Sequence, residues 1–366
     1  MVIDLSITAF RLTRPASCRS QVRSRVQGRC DSPCGLHHAD ADRYSDAVIV
    51  QRTSLIAAAT VGLLVAVSTP AAGQSGRGAR PSSYTAEIRD FQAQRAQGLL
   101  ADDGWLTVAG LFWLKPGPNV AGSAAGSDIL LPARAPARLG VFELQDGRVT
   151  FRADPAANVF AGGARVGTAQ MDAPSDDAGA LAIGDLRMFV IHRGDRFAVR
   201  LRDLKSATRI GFSGLKFYPV RPAYRVRARF TAHEQPRKVA IPNVVGQVSE
   251  MTSPGYVTFT LAGKEWRLEP VYETDDPQDL FFIFRDATSR DSTYPAGRFL
   301  YAPLPRDGHV ILDFNKAYNP PCAFTDFATC PLPPRQNQLA LRIEAGELAY
   351  HPRPKPPTGS KAPSRR

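Results

Sequence analysis

The sequence has no hydrophobic run long enough to cross a bilayer. The apolar run Leu55–Val67 has 13 residues, whereas a spanning helix needs about 20. Arg52 precedes this run and the small residues Ser68–Gly73 follow it, which is the order of a secretory signal peptide. We therefore predict a signal peptide over residues 51–73 and export to the periplasm or the outside of the cell. An uncleaved membrane anchor is the alternative.

Both ends of the chain lack hydrophobic periodicity. Residues 1–50 show no apolar repeat, so we predict a non-native upstream extension, with translation starting near Val48 or Val50, or a disordered segment. Residues 353–366 combine Pro, Ser, Lys and Arg and have little to bury, so we predict a disordered basic tail.

The positive charge is not concentrated in a segment that would bind nucleic acid. The whole chain has a formal net charge of +12. Residues 1–73 hold eight Arg against five acidic residues, and residues 353–366 hold five basic residues and no acid, which leaves about +4 for residues 74–352. That balance is ordinary for a protein surface. We predict no nucleic-acid partner and, after cleavage, no stable membrane span; the oligomeric state stays open.

Cysteine is scarce. Three of the five cysteines precede residue 74, which leaves only Cys322 and Cys330 after cleavage. Two thiols in an exported chain, in a proline-rich loop, predict a disulfide. Free buried thiols and a metal site are the alternatives, but a metal needs further ligands and the nearest histidine is His309. We predict no metal.

Familiar catalytic motifs are also missing. Ser213 lacks the glycine two residues to either side that a nucleophile elbow requires. The histidines of the mature chain stand alone, and no glycine-rich phosphate loop is present, so we predict no cofactor. Asp313 and Glu347 form the one candidate carboxylate pair, provided that the fold brings them within about 5 to 10 Å.

Short apolar segments separated by turn residues make up most of the remaining chain. Asp146-Gly147 and Gly194-Asp195 are typical of hairpin turns, and strands at this spacing favour a sandwich. A helix is predicted from about residue 86 to residue 100, with Ile88, Phe91, Arg95 and Leu99 on one face. The expected fold is mainly β, with two antiparallel β sandwich or barrel domains over residues 84–205 and 209–350 and a short N-terminal helix.

Three strand predictions concern the second domain. Tyr224–Phe230 alternates, and its three arginines are expected on a solvated face. Leu280–Phe284 is apolar on both faces, which predicts a central, buried strand. Residues 298–304 and 309–314 are expected to pair as a hairpin across Asp307-Gly308.

Part of the first domain resembles the forkhead-associated domain. The pattern covers Leu114–Gly122, Ser127–Pro132 and Ile183–Asp185, within about residues 105–203. The resemblance implies a β sandwich that reads phosphothreonine. Ala121-Gly122-Ser123 stands where that family has Gly-Arg, so we expect a binding or supporting module without phosphopeptide recognition.

Residues 209 to about 350 closely resemble the prokaryotic family known as domain of unknown function (DUF) 1684. The resemblance rests on several ordered motifs, which are Phe284–Thr288, Thr293–Leu300, Leu312–Asn315, Tyr318–Phe324, Cys330–Pro334, Asn337 and Glu344–Glu347. Longer members of the family share the upstream half from about Trp105. The resemblance implies a fold unit and draws attention to the loop between Asp313 and Asn337, but it implies no activity.

The loop from Asp313 to Asn337 is the candidate site, because polar side chains on a proline-braced loop are a common way to build one. The candidate ligand-binding residues are Arg298, Asp313, Asn315, Tyr318, Asn319, Arg335 and Asn337. In a functional interpretation, Arg298 or Arg335 presents a fork to a carboxylate or phosphate. In a structural interpretation, Arg298 or Arg335 pairs with Asp313 or Glu347 inside a hydrogen-bonded scaffold.

The sequence therefore favours non-catalytic binding of a small polar or anionic ligand, or of a peptide, near this loop. One alternative is a hydrolase that acts on an envelope carbohydrate or ester with Asp313 and Glu347. Another is a structural module of the cell envelope.

Overall fold

The computed structural model describes residues 83–171 and 179–350, all within one unit of the fold. The predicted upstream extension, the signal peptide and the basic tail lie outside the described residues. None of the helices in this described part is both long and apolar enough to span a membrane.

Helix α1 (Ser83–Leu100) begins three residues earlier than the sequence predicts. Ile88 and Leu99 are buried, and the predicted face is confirmed. After the helix, Trp105–Thr107 forms a 3₁₀ turn. Gly104 is required between them, since a Cβ atom there would lie 2.3 Å from the carbonyl oxygen of Leu99.

Two sheets form the N-terminal domain. The strands of the six-stranded sheet, in spatial order, are β1 (Val108–Trp113), β11 (Arg196–Asp203), β10 (Leu186–Arg193), β9 (Leu181–Ile183), β6 (Phe160–Ala161) and β7 (Ala164–Arg165). The strands of the five-stranded sheet are β3 (Ile129–Leu130), β2 (Gly117–Gly122), β4 (Gly140–Gln145), β5 (Arg148–Ala153) and β8 (Thr168–Gln170). All pairings are antiparallel except the one between β2 and β3.

The inner faces of these sheets share one apolar core. Phe142 and Phe151 from the five-stranded sheet pack with Met188 and Val199 from the six-stranded sheet. The predicted sandwich is therefore confirmed. The predicted turns are also present, with positive φ at Asp146 and Gly147 and at Gly194. The forkhead-associated resemblance stays a prediction.

A four-stranded and a two-stranded sheet form the C-terminal domain. The four-stranded sheet has the order β14 (Lys264–Leu268), β13 (Val248–Leu261), β12 (Arg225–Pro242) and β17 (His309–Asp313), and β15 (Asp279–Phe284) pairs with β16 (Arg298–Pro303). A short helix, α2 (Ala207–Ile210), precedes this domain, and the Ser206 hydroxyl caps it. The solvated face of β12 is confirmed, since its arginines 225, 227 and 229 are exposed.

The pairing of two predicted strands differs in part from the prediction. The Asp307-Gly308 turn forms, and Arg306 and His309 exchange both backbone hydrogen bonds across it, but beyond this bridge β16 pairs with β15 and β17 pairs with β12. Turn residues set the reversal of the chain, whereas the burial of Val310 and Leu312 beside Ala228 determines which partner β17 takes. β15 is buried as expected; it pairs with β16 on one side, and on the other side Phe281 bridges to Val271.

Candidate functional site

Arg298, one of the two predicted ligand forks, is completely buried. Its guanidinium donates to Asp286 Oδ1 at 2.9 Å and to the carbonyl oxygens of Ala345 and Ile343 at 2.5 and 3.0 Å. The expected partners Asp313 and Glu347 are not involved, which corrects the sequence prediction. Arg298 therefore ties the C-terminal segment to β16 and is not positioned to bind a ligand.

Asp313 and Asn315 are held by the first turn of α1. The Tyr84 hydroxyl donates to Asp313 Oδ1 at 2.9 Å and accepts from Asn315 Nδ2 at 2.9 Å. Asn315 also bonds to both backbone groups of Arg221. Burial and the hydrogen bond to Asp313 raise the pKa of Tyr84. This part of the loop is a docking point for the helix.

Glu347 and Asn319 contact each other beside Arg95, in the second half of α1. Asn319 Nδ2 donates to Glu347 Oε1 at 2.8 Å, and Arg95 Nε lies 3.5 Å from Glu347 Oε2. Arg95 also donates to the carbonyl oxygen of Asn319 at 3.0 Å. Burial raises the pKa of Glu347 to about 6, although Arg95 opposes the shift. Asn319 Oδ1 is buried without a hydrogen-bond partner among the described residues.

Tyr318 extends this cluster to a second buried carboxyl group. Arg95 lies over the Tyr318 ring at 4.6 Å from its centroid, and Tyr318 stacks on Tyr301. The Tyr301 hydroxyl donates to Glu273 Oε2, while Glu273 Oε1 is buried without a partner in the described part of the chain. Burial raises the pKa of Glu273 to about 7. The sequence offered no signal for Glu273, which follows no motif.

Asn337 and Arg335 have different roles. Asn337 is buried, and its side chain bonds both backbone groups of Glu269 and the carbonyl oxygen of Ile283. Glu269, which the sequence analysis also missed, is buried. Burial raises the pKa of its carboxyl group, but hydrogen bonds from Arg237 and His233 outweigh this effect and lower the pKa to about 2. Arg335 is exposed and makes no side-chain ion pair within the described residues.

Asp313 and Glu347, the candidate carboxylate pair, have different side-chain partners. Asp313 accepts from Tyr84, whereas Glu347 accepts from Arg95 and Asn319. The Glu347 N–H donates to the carbonyl oxygen of Ala317 at 2.8 Å, four positions after Asp313. A role for the two carboxyl groups as acid and base stays a prediction.

Cys322 and Cys330 lie side by side as free thiols, so the predicted disulfide is not formed in the structure. The Cys322 N–H donates to Cys330 Sγ at 3.1 Å. A hydrogen bond from the Cys330 thiol lowers the pKa of Cys322, whereas burial raises the pKa of Cys330 well above its ordinary value. Cys322 is half-buried and Cys330 is buried. Their oxidation stays a prediction.

A cleft of about 360 Å³ adjoins Cys322, and we name it the Cys322 cleft. It is lined by Cys322–Phe327 of the loop, by Val108 and Ala109 of β1, and by Asp203 and Ser206–Thr208. The Thr325 hydroxyl donates to the carbonyl oxygen of Val108 at 3.0 Å and fixes the loop against the sandwich. The Cys322 cleft lies between the loop, β1 and the start of α2.

The lining of the Cys322 cleft contains two carboxylates and no Lys or Arg. Asp203 already accepts from Arg134 and from the Lys205 N–H. Asp326 is exposed and has no ion-pair partner among residues 83–171 and 179–350. The lining therefore favours neutral or cationic groups.

A second cleft has an excess of positive charge. It has a volume of about 520 Å³, and its lining includes Arg285, Arg290, Gln338 and the carboxylate of Asp286, which is buried and paired with Arg298. Both arginines are exposed and form no ion pair among the described residues. Nowhere in the described ranges do three or more His, Cys, Asp or Glu side chains gather as a metal site.

Two comparisons with known proteins each match part of the chain. Residues 210–348 match the family model described as Protein of unknown function (DUF1684). Among solved structures, the chain is similar to an uncharacterized protein of Haloarcula marismortui determined by solution NMR. That similarity has 33% sequence identity, covers 38% of this chain and 78% of that chain, and has a TM-score of 0.33. A search of curated proteins gave no match.

Proposed function

The chain belongs, through residues 210–348, to the DUF1684 family of proteins of unknown function, and we propose that it binds a small polar ligand in the Cys322 cleft. The observation that carries the proposal is the cleft itself, because the rest of the loop is occupied by internal contacts. Of the predicted polar residues, Asn315 hydrogen-bonds to Tyr84 of α1, Asn319 to Glu347 and Asn337 to Glu269.

Size and lining support a small ligand. The volume of about 360 Å³ is within the range of roughly 300–1,000 Å³ that is usual for small-molecule sites. The lining combines hydroxyl groups of Ser206, Thr208 and Thr325 with Phe324, and a few polar groups in a partly apolar lining are typical of small-molecule sites. The Ser206 and Thr325 hydroxyls donate to the carbonyl oxygens of Leu106 and Val108, so towards a ligand they act as acceptors.

The charge of the lining argues for a neutral or cationic ligand at this cleft. A carboxylate or phosphate would meet Asp326 and Asp203 without a compensating cation in the lining. An anionic ligand would instead bind to the guanidinium groups of Arg285 and Arg290 in the second cleft.

We also propose that the protein acts outside the cytoplasm. The order of basic, apolar and small residues before residue 74 supports this localisation. N-terminal sequencing of the protein purified from the extracytoplasmic fraction is expected to start near Gln74. A chain that keeps residues 51–73 and stays with the membranes would support the anchor alternative instead.

Two-dimensional NMR titrations test the ligand. The diamine putrescine, glycerol and succinate serve as cationic, neutral and anionic probes. We expect shifts from putrescine or glycerol at Cys322–Phe327 and Thr208, and no shifts there from succinate. The substitution Ala207→Trp fills the cleft and is expected to abolish them.

The matched control is Ala164→Trp, at an exposed position of β7 away from the cleft. It should leave the titration unchanged. If no probe shifts the cleft residues, or if A207W and A164W behave alike, the ligand proposal is rejected and the structural-module alternative gains support.

A further inference from the structure

We propose that Cys322 and Cys330 form a redox-active dithiol that exchanges with a small, positively charged disulfide bound in the Cys322 cleft. This inference rests on the proposed function, because it uses the same cleft. It assigns a reaction to two residues that ligand binding alone leaves unexplained.

The geometry places a reactive sulfur next to its resolving partner. Cys322 lines the cleft and is half-buried, so a ligand can reach it. Cys330 lies behind it, buried, and shares hydrogen bonds with it. An accessible attacking thiol backed by a shielded resolving thiol is the arrangement that thiol–disulfide exchange requires.

The surroundings of the two thiols make Cys322 more reactive than Cys330. The Cys330 hydrogen bond lowers the pKa of Cys322, and the Tyr294 hydroxyl acts in the same direction. The same hydroxyl donates to the carbonyl oxygen of Cys322 at 2.9 Å, which fixes the residue. Burial keeps Cys330 protonated until the first exchange step. Because the thiolate is the nucleophile, Cys322 attacks first.

The reaction balances without an external group. The Cys322 thiolate attacks one sulfur of the substrate R–S–S–R, the substrate S–S bond breaks, and R–S⁻ leaves and takes up a proton. Cys330 then gives up its proton and attacks Cys322 Sγ, which releases the second thiol as R–SH. The substrate gains two electrons and the protein keeps a Cys322–Cys330 disulfide. Two small thiols restore the dithiol by the reverse steps.

The cleft also selects the charge of the substrate. Asp326 is exposed at the lining, and no Lys or Arg joins it. A disulfide with ammonium groups is attracted to this lining, whereas a disulfide with carboxylates is repelled. Cystamine is the simplest cationic probe, and dithiobis(nitrobenzoate) is an anionic one.

Intact-mass measurements on the exported protein, in which cleavage leaves only Cys322 and Cys330, test the order of attack. The protein is reduced with a phosphine, desalted and mixed with cystamine. Wild type is expected to form the internal disulfide and release two cysteamine molecules. Cys330→Ser should accumulate a mixed disulfide at Cys322, and Cys322→Ser should react roughly tenfold or more slowly. Equal rates for the two variants would overturn the proposal.

Should a Cys→Ser variant fail to fold, wild type alone gives the answer. Partial alkylation with iodoacetamide followed by peptide mapping should label Cys322 before Cys330, and the opposite order contradicts the proposal. The oxidised, folded protein should also be reduced by cysteamine. A disulfide that resists reduction until the protein is unfolded would be a static clamp, and the proposal would be wrong.

Charge selection has its own control. Asp326→Asn should lower the rate with cystamine relative to the rate with dithiobis(nitrobenzoate), and Asp195→Asn, at the opposite end of β11, should leave that ratio unchanged. Equal ratios in both variants would overturn the assigned substrate charge.

Binding and exchange measured on the same wild-type protein separate this inference from the proposed function. If wild type binds putrescine or glycerol but shows no exchange, the cleft binds a ligand and the redox proposal alone fails. If exchange proceeds in wild type but no probe shifts the cleft residues, the proposed ligand binding fails.

Discussion

The interiors of the two domains differ in chemistry. The space between the sandwich sheets is filled by apolar side chains, with Phe142 and Phe151 at its centre. The C-terminal domain buries a complete ion pair, Arg298 with Asp286, and the carboxyl groups of Glu269 and Glu347. On β11, the buried Arg200 and Arg202 alternate with the core residues Val199 and Leu201, so they face away from the space between the sheets. That space is apolar, whereas the C-terminal domain has charged groups within its interior.

Backbone hydrogen bonding explains the difference. The core residues of the sandwich come mainly from strands, whose ladders satisfy the backbone groups. After β17 ends at Asp313, the chain runs to residue 350 without another strand. Its carbonyl groups need side-chain donors; Arg298 supplies them at Ile343 and Ala345, and Asn319 supplies one at Leu348. Polar residues therefore hold the irregular segment together.

Removing the buried cation should have the largest effect on this domain. Arg298→Met leaves Asp286 buried without its charge partner, and we expect a loss of about 3–5 kcal/mol in the free energy of unfolding. Urea denaturation measures it. Asp286→Asn added to the same chain should recover part of the loss, since it removes the uncompensated charge.

Arg227→Met is the matched control for that experiment. Arg227 is exposed on β12, and the expected change is within about 0.5 kcal/mol. If R298M and R227M unfold at the same urea concentration, charge pairing does not hold the C-terminal domain together.

The buried carboxyl group of Glu273 should make the stability depend on pH. Burial raises its folded-state pKa from an ordinary value of 4.5 to about 7. Between these pH values the folded state binds more protons than the unfolded state, so stability falls as the pH rises. The loss is complete above pH 7 and is on the order of 3 kcal/mol.

Glu273→Gln keeps an acceptor for the Tyr301 hydroxyl and removes this titration. Between pH 5 and pH 8, we expect the stability of the variant relative to wild type to increase by that amount, as measured by thermal unfolding at each pH. The stability of Glu265→Gln, at an exposed position of β14, should not increase relative to wild type. A wild-type stability that rises over this interval while E273Q stays flat would contradict the assignment.

The contact of α1 with the loop should have the smallest of these effects. Tyr84→Phe removes a hydrogen bond to the Asp313 carboxylate, at a cost of about 1.5–2 kcal/mol, because bonds to charged groups are stronger than neutral ones. Hydrogen exchange of residues 83–100 should increase. Tyr224→Phe, a half-buried tyrosine near the start of β12, is the control and should leave that exchange unchanged.

Local patterns predicted the elements better than their partners. The alternation of residues 224–230, the turn residues of the hairpins and the face of α1 depend on neighbours in the chain, and the structure confirms them. The predicted pairing of β16 with β17 failed, because the partner of a strand depends on which distant edge buries its apolar face.

Polar residues were harder to assign than strands. Composition identified Arg298, Asn319 and Asn337 as candidates. However, an arginine that binds a ligand and an arginine that donates to backbone carbonyl groups look the same in the sequence. Glu269 and Glu273 follow no motif, and only their surroundings make them notable. The family resemblance over residues 210–348 is confirmed, and it identified the loop without assigning a role to its side chains.

The sequence by itself determined the mainly β fold, the N-terminal helix, the family of the C-terminal domain and the importance of the loop from Asp313 to Asn337. These properties follow from short-range patterns and ordered motifs. Only the tertiary structure decided that most of the loop is a scaffold and that Cys322 lines a cleft. Burial, charge pairing and access depend on segments far apart in the chain, such as Ser206–Thr208 and Cys322–Phe327, and no local pattern records their meeting.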